Sequence, residues 1–321
     1  MKTMPRGDFV SDTNFEYAVI TLALSMIRGM GNARLNQTLA LVHRCRWDLS
    51  QLRDVTAHAF IRQVQEQDPT IASLLTRCDT AYFETAGALI QRAQENGIRP
   101  VTTRESGYPA SIRTCLGNLA PPLLFVLGNA ALLHDTAGAV AGTRAPSARG
   151  EKAARTAAEA IVEHTMSLVS GGATGVDHAA HDAAIAAGKN TVLILPQGLL
   201  TWTPPASWRD ALNEGRLAAI SACMPDAPWQ THAAVARNAL ISAQAQTVCI
   251  VEPKKQGGSL LTMRHAIHQR KPTFVTPLHA APPGLRPYVH PIGDLDKTLA
   301  SLDLKQLLHT GNMQDGQAEL P

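Results

Sequence analysis

The sequence is poor in the residues that mark several large classes of protein. Aromatic residues make up only 4% of the 321 residues, and the five cysteines form no Cys-x-x-Cys pair. A zinc ribbon and a disulfide framework are therefore excluded as organising features. We expect free thiols in a reducing compartment. The cysteines are Cys45, Cys78, Cys115, Cys223 and Cys249.

Long apolar runs are also missing from the chain. No stretch approaches the roughly 18 consecutive apolar residues that a membrane span requires. The N-terminus carries acidic and polar residues where a signal peptide needs an apolar core. We therefore expect a soluble, cytoplasmic protein with no membrane association.

A large excess of charge of either sign is absent too. Basic residues exceed acidic ones by three, so the net charge is +3 at pH 7. A weakly basic chain is compatible with a nucleic-acid partner but does not by itself indicate one. Hydrophobic residues make up 45% of the sequence, which is enough to build a sizeable core.

The pattern of apolar residues along the chain changes near residue 98. Residues 1–13 predict a flexible N-terminus, 14–97 a helical domain, and 281–321 a C-terminal extension with no room for a winged helix. Between them, strand-like apolar runs alternate with helical patterns, which is typical of a parallel sheet covered on both faces. We predict a doubly wound α/β fold, mostly parallel, over 98–280. The predicted strands are 138–143, 166–170, 191–195, 217–221, 246–251 and 273–276.

The loops after these strands are rich in small residues. Ligands of open parallel sheets bind beyond the carboxyl ends of the strands. Small residues there expose backbone N–H groups at helix N-termini, and such places favour phosphate. Arg144 can add a bidentate contact to phosphate oxygens. The candidate phosphate ligands in these loops are Gly142, Thr143, Arg144, Ser170, Gly171, Gly172, Thr174, Gly175, Gly257, Gly258 and Ser259.

A dinucleotide site does not fit these loops. The G-x-G-x-x-G fingerprint would need glycine where Ser170 stands, and Pro196 and Gln197 occupy the place of the ribose-binding acid. The phosphate-binding pattern G-x-x-x-x-G-K-[ST] does not occur either. We expect no cofactor.

Metal and catalytic motifs are similarly weak. Asp177, His178, His181 and Asp182 resemble a ligand cluster, but we interpret Asp177 as orienting the glycine loop and the histidines as packed or solvated. No G-x-S-x-G elbow occurs. Ser259 is as well explained by helix capping as by phosphate binding. We therefore expect neither a metal nor a catalytic residue.

Four other features have two interpretations each. Lys254 and Lys255 are either a solvated turn or contacts to a polyanion, and Arg237-Asn238 either binds phosphate or pairs within the rim of the sheet. Trp202 is either a stacking platform for bases or a loop anchor against the core. The turn "GMGNAR" at 29–34 is either a helix-hairpin-helix contact to DNA or a simple interhelical turn.

Taken together, the motifs resemble the DNA-processing protein A family, called DprA or Smf. The resemblance rests on "GYPASIRTCLGNLAPPLLFVLGN", "AVAGTRAPSARG", "LVSGGATGVDHAAHDAAIAAG", "VARNALISAQAQTVCIVE" and "GGSLLTMRHAIHQRKPTFVTP", over roughly residues 15–277. It implies an extended Rossmann-like fold and a non-enzymatic homodimer that binds single-stranded DNA. It also implies loading of the recombinase RecA during natural transformation and DNA recombination. The phosphate-contacting positions it implies are Gly142–Arg144, Ser170–Asp177, Arg237–Asn238 and Gly257–Ser259.

The chain departs from this family in its arginines. Thr174 stands where the family usually has an arginine, and the family's Arg-Arg-Asn-Arg run is Ala236-Arg237-Asn238-Ala239 here. Each phosphate neutralised on a single strand contributes about 0.7 to the salt dependence of binding. Losing three cations predicts weaker and less salt-sensitive binding.

Two functions therefore remain open from the residues alone. The first is a single-stranded DNA-binding module. The second is a nucleotide-binding or nucleotide-cleaving Rossmann-like protein with an AMP-type ligand. The second would usually carry a P-G-G-x-G-T-x-x-E loop, whereas "EPKKQGGSLLTMRHA" offers no general acid after its threonine.

Overall fold

The computed structural model describes residues 12–45, 58–164 and 166–301. It contains twelve α-helices and nine strands in those ranges. The helices are α1 Asp12–Ser25, α2 Asn32–Arg44, α3 His58–Gln67, α4 Pro69–Leu75, α5 Thr80–Glu95, α6 Ala110–Leu116, α7 Ala148–Glu163, α8 Val176–Ala186, α9 Arg209–Asn213, α10 Thr231–Gln244, α11 Gly258–His268 and α12 Leu295–Ser301. The strands are β1 Ile98–Thr102, β2 Leu123–Gly128, β3 Ala137–Gly142, β4 Ser167–Ser170, β5 Thr191–Leu195, β6 Leu217–Ser221, β7 Thr247–Val251, β8 Thr273–Thr276 and β9 His290–Pro291.

All nine strands form one sheet in the order β1-β2-β6-β5-β4-β3-β7-β8-β9. Pairing is parallel from β6 through to β9, and antiparallel between β1 and β2 and between β2 and β6. The predicted α/β, doubly wound, mostly parallel sheet is confirmed. The strand order reverses at β3, since β4 to β6 lie on one side of it and β7 to β9 on the other. A crevice opens at such a switch point, beyond the carboxyl ends of the two strands that diverge.

Alternation along the central strands explains why both faces are covered. In β7, Val248 and Ile250 face a core shared with α10 and α11, whereas Cys249 and Val251 face a core shared with α7 and α8. All four side chains are fully buried. A strand buried on both faces needs apolar residues at every position, and this produces the continuous run in the sequence.

The N-terminal helices pack directly on the sheet. A third core joins the interior of α1 to α5 to side chains of β1, β2, β5 and β6, among them Phe125 and Leu193. The helical region begins at Asp12, two residues before the predicted boundary. The predicted flexible segment at 1–13 lies almost wholly outside the described residues, as does the part of the predicted C-terminal extension from 302 to 321. Within the ranges described, no helix is both long and apolar enough to cross a membrane.

Two asparagines fasten α2 to the sheet domain. The Nδ2 of Asn36 donates to the carbonyl oxygens of Asn118 at 2.9 Å and Ala120 at 2.8 Å. Asn32 makes one longer, exposed bond of 3.2 Å to the carbonyl of Leu119. Helix α2 therefore has its position set by side-chain amides as well as by apolar packing.

We expect Asn36→Ala to lower the free energy of unfolding by about 1–2 kcal/mol, because two carbonyls, of which that of Ala120 is part-buried, lose their donor. Denaturant titration followed by circular dichroism measures this. The matched control is Asn32→Ala, for which we expect about 0.5 kcal/mol because its single bond is exposed. Equal effects of the two substitutions would contradict the role given to Asn36.

Candidate functional site

A crevice of about 400 Å³ lies at the switch point of the sheet. Its walls come from the loop after β3, the loop after β7, the first turns of α11 and one face of α10. It thus occupies the place that the topology singles out, at the carboxyl ends of β3 and β7. The predicted residues that line it are Gly142, Thr143, Arg144, Asp177, Arg237, Asn238, Lys254, Gly257, Gly258 and Ser259.

Arg144 stands exposed at this crevice, next to a tryptophan. Its guanidinium carbon lies 5.5 Å from the ring centroid of Trp229, a cation–π distance. Trp229 lines the same crevice and is 45% exposed. Sequence reasoning missed this residue, because 85 positions separate it from Arg144 and its loop has no glycine signature. The Pro-Trp pair just before an amphipathic helix was the one available signal.

Two buried side chains of opposite charge, Asp177 and Arg237, also line the crevice. Asp177 and Arg237 are 5% and 7% exposed, and each is the opposite charge that acts on the other. Burial raises the pKa of Asp177, while Arg237 and the backbone N–H of Ala173 act to lower it. Burial lowers the pKa of Arg237, and Asp177 opposes that shift. The two groups thus compensate each other's loss of hydration.

One part of Arg237 is left uncompensated. Its Nε is buried and has no hydrogen-bond partner among the described residues. Since Arg237 lines the crevice, a ligand there can reach its guanidinium. The adjacent Asn238 donates from Nδ2 to the carbonyl of Gly258 at 3.3 Å, which joins α10 to the start of α11. Asn238 thus pairs within the rim of the sheet, whereas Arg237 keeps a buried nitrogen without a hydrogen-bond partner among the described residues.

The N-termini of α11 and α7 differ in what they offer an anion. No described side chain caps α11, and a Cβ on Gly257 would meet no described atom within 4 Å. At α7, the hydroxyl of Ser147 accepts from the N–H of Gly150 at 3.1 Å. Glu252 in turn accepts from both the hydroxyl and the N–H of Ser147. A carboxylate of the protein already occupies the start of α7, so α11 is the more open anion site.

The glycines deeper in the loops are explained by close approach within the protein. A Cβ on Gly142 would overlap the carbonyl of Val251 and the side chain of Val176, and one on Gly171 would overlap the guanidinium of Arg237. Gly175 has a φ of +83°, and its Cβ would lie 2.6 Å from the carbonyl oxygen of Thr143. At these positions the backbone therefore approaches other parts of the protein, namely β7, α8, α10 and the loop after β3.

Several predicted residues do not line the crevice. Ser170 is fully buried and donates its hydroxyl to the carbonyl of Val140 at 2.5 Å, so it has no free hydroxyl for a ligand. Trp202 packs against the core beneath the N-terminal helices, as the anchor interpretation requires. The other predicted residues outside the lining are Gly171, Gly172, Thr174, Gly175 and Lys255.

The histidines and acids of α8 are used in packing. Nδ1 of His181 lies 2.7 Å from the Thr191 hydroxyl, and burial lowers the pKa of His181 to about 3. Trp208 donates from Nε1 to Asp182 at 2.7 Å and contacts the rings of His178 and His181. Among the described residues, no three His, Cys, Asp or Glu side chains converge as a metal site would require.

The turn between α1 and α2 is bound to its surroundings. Arg34 donates to the carbonyl of Gly29 at 2.8 Å, and Arg77 donates to the carbonyl of Arg28 at 3.1 Å. Asn32 binds the sheet domain as described above. These contacts are those of an interhelical turn.

The fold and the crevice define a class: a doubly wound α/β protein with an anion-compatible crevice at its switch point. The family model for DNA recombination-mediator protein A matches residues 99–286, more than half of the chain. The chain therefore belongs to the DNA recombination-mediator protein A family, as the sequence resemblance to DprA and Smf predicted.

Curated relatives agree with this assignment. DNA processing protein DprA of Streptococcus pneumoniae is 34% identical over 160 residues, which cover 49% of this chain and 56% of that protein. Protein Smf of Escherichia coli is 34% identical over 166 residues, which cover 51% of this chain and 44% of that protein. The matched segment thus spans about half the length of these relatives.

Two solved structures share the fold. The X-ray structure of DprA from Streptococcus pneumoniae has a TM-score of 0.61 and 25% identity, covering 81% of this chain and 85% of that one. A structure of DNA processing protein A from Helicobacter pylori, which describes the single-stranded DNA binding mode of that protein, has a TM-score of 0.52. It is 24% identical and covers 66% of this chain and 97% of that one.

Proposed function

We propose that this chain binds single-stranded DNA in the crevice at the switch point. The observation that carries the proposal is Arg144, an exposed guanidinium at the crevice mouth. Lys254 and the uncapped start of α11 lie along the same crevice. A strand entering there meets two cations and a row of backbone N–H groups, and these bind phosphate without regard to sequence.

The phosphate contacts we propose are fewer than the sequence predicts. They are Arg144, Lys254, and the first-turn positions Gly257, Gly258 and Ser259, with Arg237 reached from within the crevice. Thr143 and Asn238 shape the walls, and both are buried. Thr174 and Ala236, which stand where the family usually has arginine, are exposed. Arginines there would face solvent, so we expect fewer phosphate contacts here than in relatives that keep them.

Family membership supports further parts of the proposal. We infer a role in DNA processing and recombination in the cytoplasm, with a RecA-type recombinase receiving the bound strand and a homodimer as the functional form. Residues 14–97 and 98–280 would act as a helical domain and a Rossmann-like domain that share one of the three cores. The similarity of the Helicobacter pylori protein, whose DNA-bound mode is known, supports the nature of the ligand.

The alternative, a nucleotide-cleaving protein, lacks a free acid at the crevice. Asp177, the acidic residue of its lining, is buried, is acted on by the charge of Arg237, and accepts from the N–H of Ala173 at 3.3 Å. Glu252 is held by Ser147. A general acid or base must reach the reacting group, and both carboxylates are already bound within the protein. A non-catalytic function therefore fits the geometry better.

We expect Arg144→Ala to weaken binding of an oligothymidylate of about 15 nucleotides by roughly tenfold, because a charge-assisted contact to phosphate is lost. Fluorescence anisotropy at low and moderate salt measures this, with AMP and NAD as competitors. The salt slope should fall by about 0.7 if one phosphate contact is removed.

The matched control is Arg149→Ala, which removes the same charge from the first turn of α7, where Arg149 is exposed and outside the crevice lining. We expect its affinity for the oligonucleotide to stay within twofold of the unmodified chain. Equal losses in the two variants would indicate a diffuse charge effect. Displacement of the oligonucleotide by AMP, with release of its base, would favour the nucleotide-cleaving alternative.

A further inference from the structure

Two of the exposed large apolar side chains of the protein stand in the same crevice. Trp229 is 45% exposed and Val235 is 44% exposed, and both line it. Trp229 lies two residues before α10 and Val235 in the first turns of that helix. Single exposed apolar residues are common on protein surfaces and need no explanation. Trp229 and Val235, however, share their crevice with cationic side chains, so they form an apolar wall beside a charged wall.

Trp229 is also held in place from one side. The guanidinium of Arg144 lies over its ring, 5.5 Å from the centroid. The indole nevertheless keeps nearly half of its surface exposed. An aromatic ring with a cation over one face and nearly half of its surface exposed presents a flat, electron-rich surface to a ligand.

Another part of the crevice has the opposite character. Lys254, Gly257, Gly258 and Ser259 present an ammonium group and the backbone of an uncapped helix start. A nucleotide has the same division, with a flat apolar base and an anionic phosphate. The volume of about 400 Å³ is at the small end of the range for small-molecule sites, enough for one nucleotide unit.

We propose that Trp229 is a stacking platform for one unpaired base, whose neighbouring phosphate is held by Arg144. This inference rests on the proposed function and adds a base contact to it. Because every base has a π-face, stacking on Trp229 is tolerant of sequence. It requires a base outside a duplex, so it makes Trp229 a determinant of selectivity for single strands over double strands.

The test compares two probes of equal length, an oligothymidylate and an abasic strand with the same phosphates. For Trp229→Ala we expect about tenfold weaker binding of the oligothymidylate and unchanged binding of the abasic strand. Trp229→Phe should recover most of the affinity, whereas Trp229→Leu should not, because leucine is apolar but cannot stack. The control is Leu119→Ala, which removes a 65% exposed apolar side chain elsewhere and should change neither affinity.

The outcomes separate the two proposals. If the unmodified chain binds neither probe, the proposed function fails. If it binds both probes and Trp229→Ala binds the oligothymidylate equally well, only the stacking inference is overturned. Equal recovery by leucine and phenylalanine also overturns it, since that pattern indicates simple apolar contact. Should Trp229→Ala lose both probes through misfolding, the comparison of Trp229→Phe with Trp229→Leu decides.

Discussion

Replacing Asp177 by alanine is expected to lower the free energy of unfolding by about 3–5 kcal/mol. The substitution leaves Arg237, which is 7% exposed, as an uncompensated buried charge. It also removes the acceptor of the N–H of Ala173. Urea titration at neutral pH, followed by fluorescence, should show an earlier midpoint with an unchanged slope.

A second substitution tests whether the charge itself is the cause. Adding Arg237→Met to Asp177→Ala removes the orphaned guanidinium and fills its space with an apolar chain, so we expect part of the stability to return. The Asp177–Arg237 pair would be irrelevant to stability if Asp177→Ala alone cost less than about 1 kcal/mol.

Replacing Gly175 by alanine is expected to cost about 3 kcal/mol, the second of the two largest effects. The φ of +83° with ψ of −124° is a conformation that residues with a side chain rarely adopt. In addition, the new Cβ would lie 2.6 Å from the carbonyl oxygen of Thr143 and 2.7 Å from the carbonyl carbon of Arg144. Loop backbone cannot give way as a flexible side chain can. Thermal or urea denaturation measures the loss.

Gly188 provides the control for a positive φ alone. It has a φ of +70°, and a Cβ there would meet no described atom within 4 Å. We expect Gly188→Ala to cost about 1 kcal/mol. The difference between the two variants measures the close approach of the β3 and β4 loops together with the strain from the ψ of Gly175. Gly175→Ala should also weaken oligonucleotide binding, because it displaces Arg144. A variant no less stable than Gly188→Ala would refute the close approach.

The strands and the edge at which the crevice lies were accessible from the sequence because their signals are local. A strand such as 247–251 is apolar at every position since it is buried on both faces, and its run is visible without any partner. The order of strands and helices then implies that ligands bind at the carboxyl ends of the strands. Arg144, Lys254 and Gly257 could be assigned to that edge from position alone.

The rest depends on contacts that the local pattern does not encode. Gly142 and Gly175 fit the pattern of a phosphate loop, but close contacts within the protein account for their lack of a side chain. Glu252 reaches Ser147 across 105 residues. Trp202 follows a threonine and Trp229 follows a proline, and both lie in loops. Only the folded chain shows that Trp202 packs inward and that Trp229 lies beside Arg144.

The measurement that tests the central claim most directly is a crystal structure of the chain with a short oligothymidylate. We expect the strand in the crevice, with a phosphate in hydrogen-bond distance of Arg144 and of the backbone N–H groups at 257–259. A strand bound along another surface, such as the turn at 29–34, with the crevice empty, would contradict the claim.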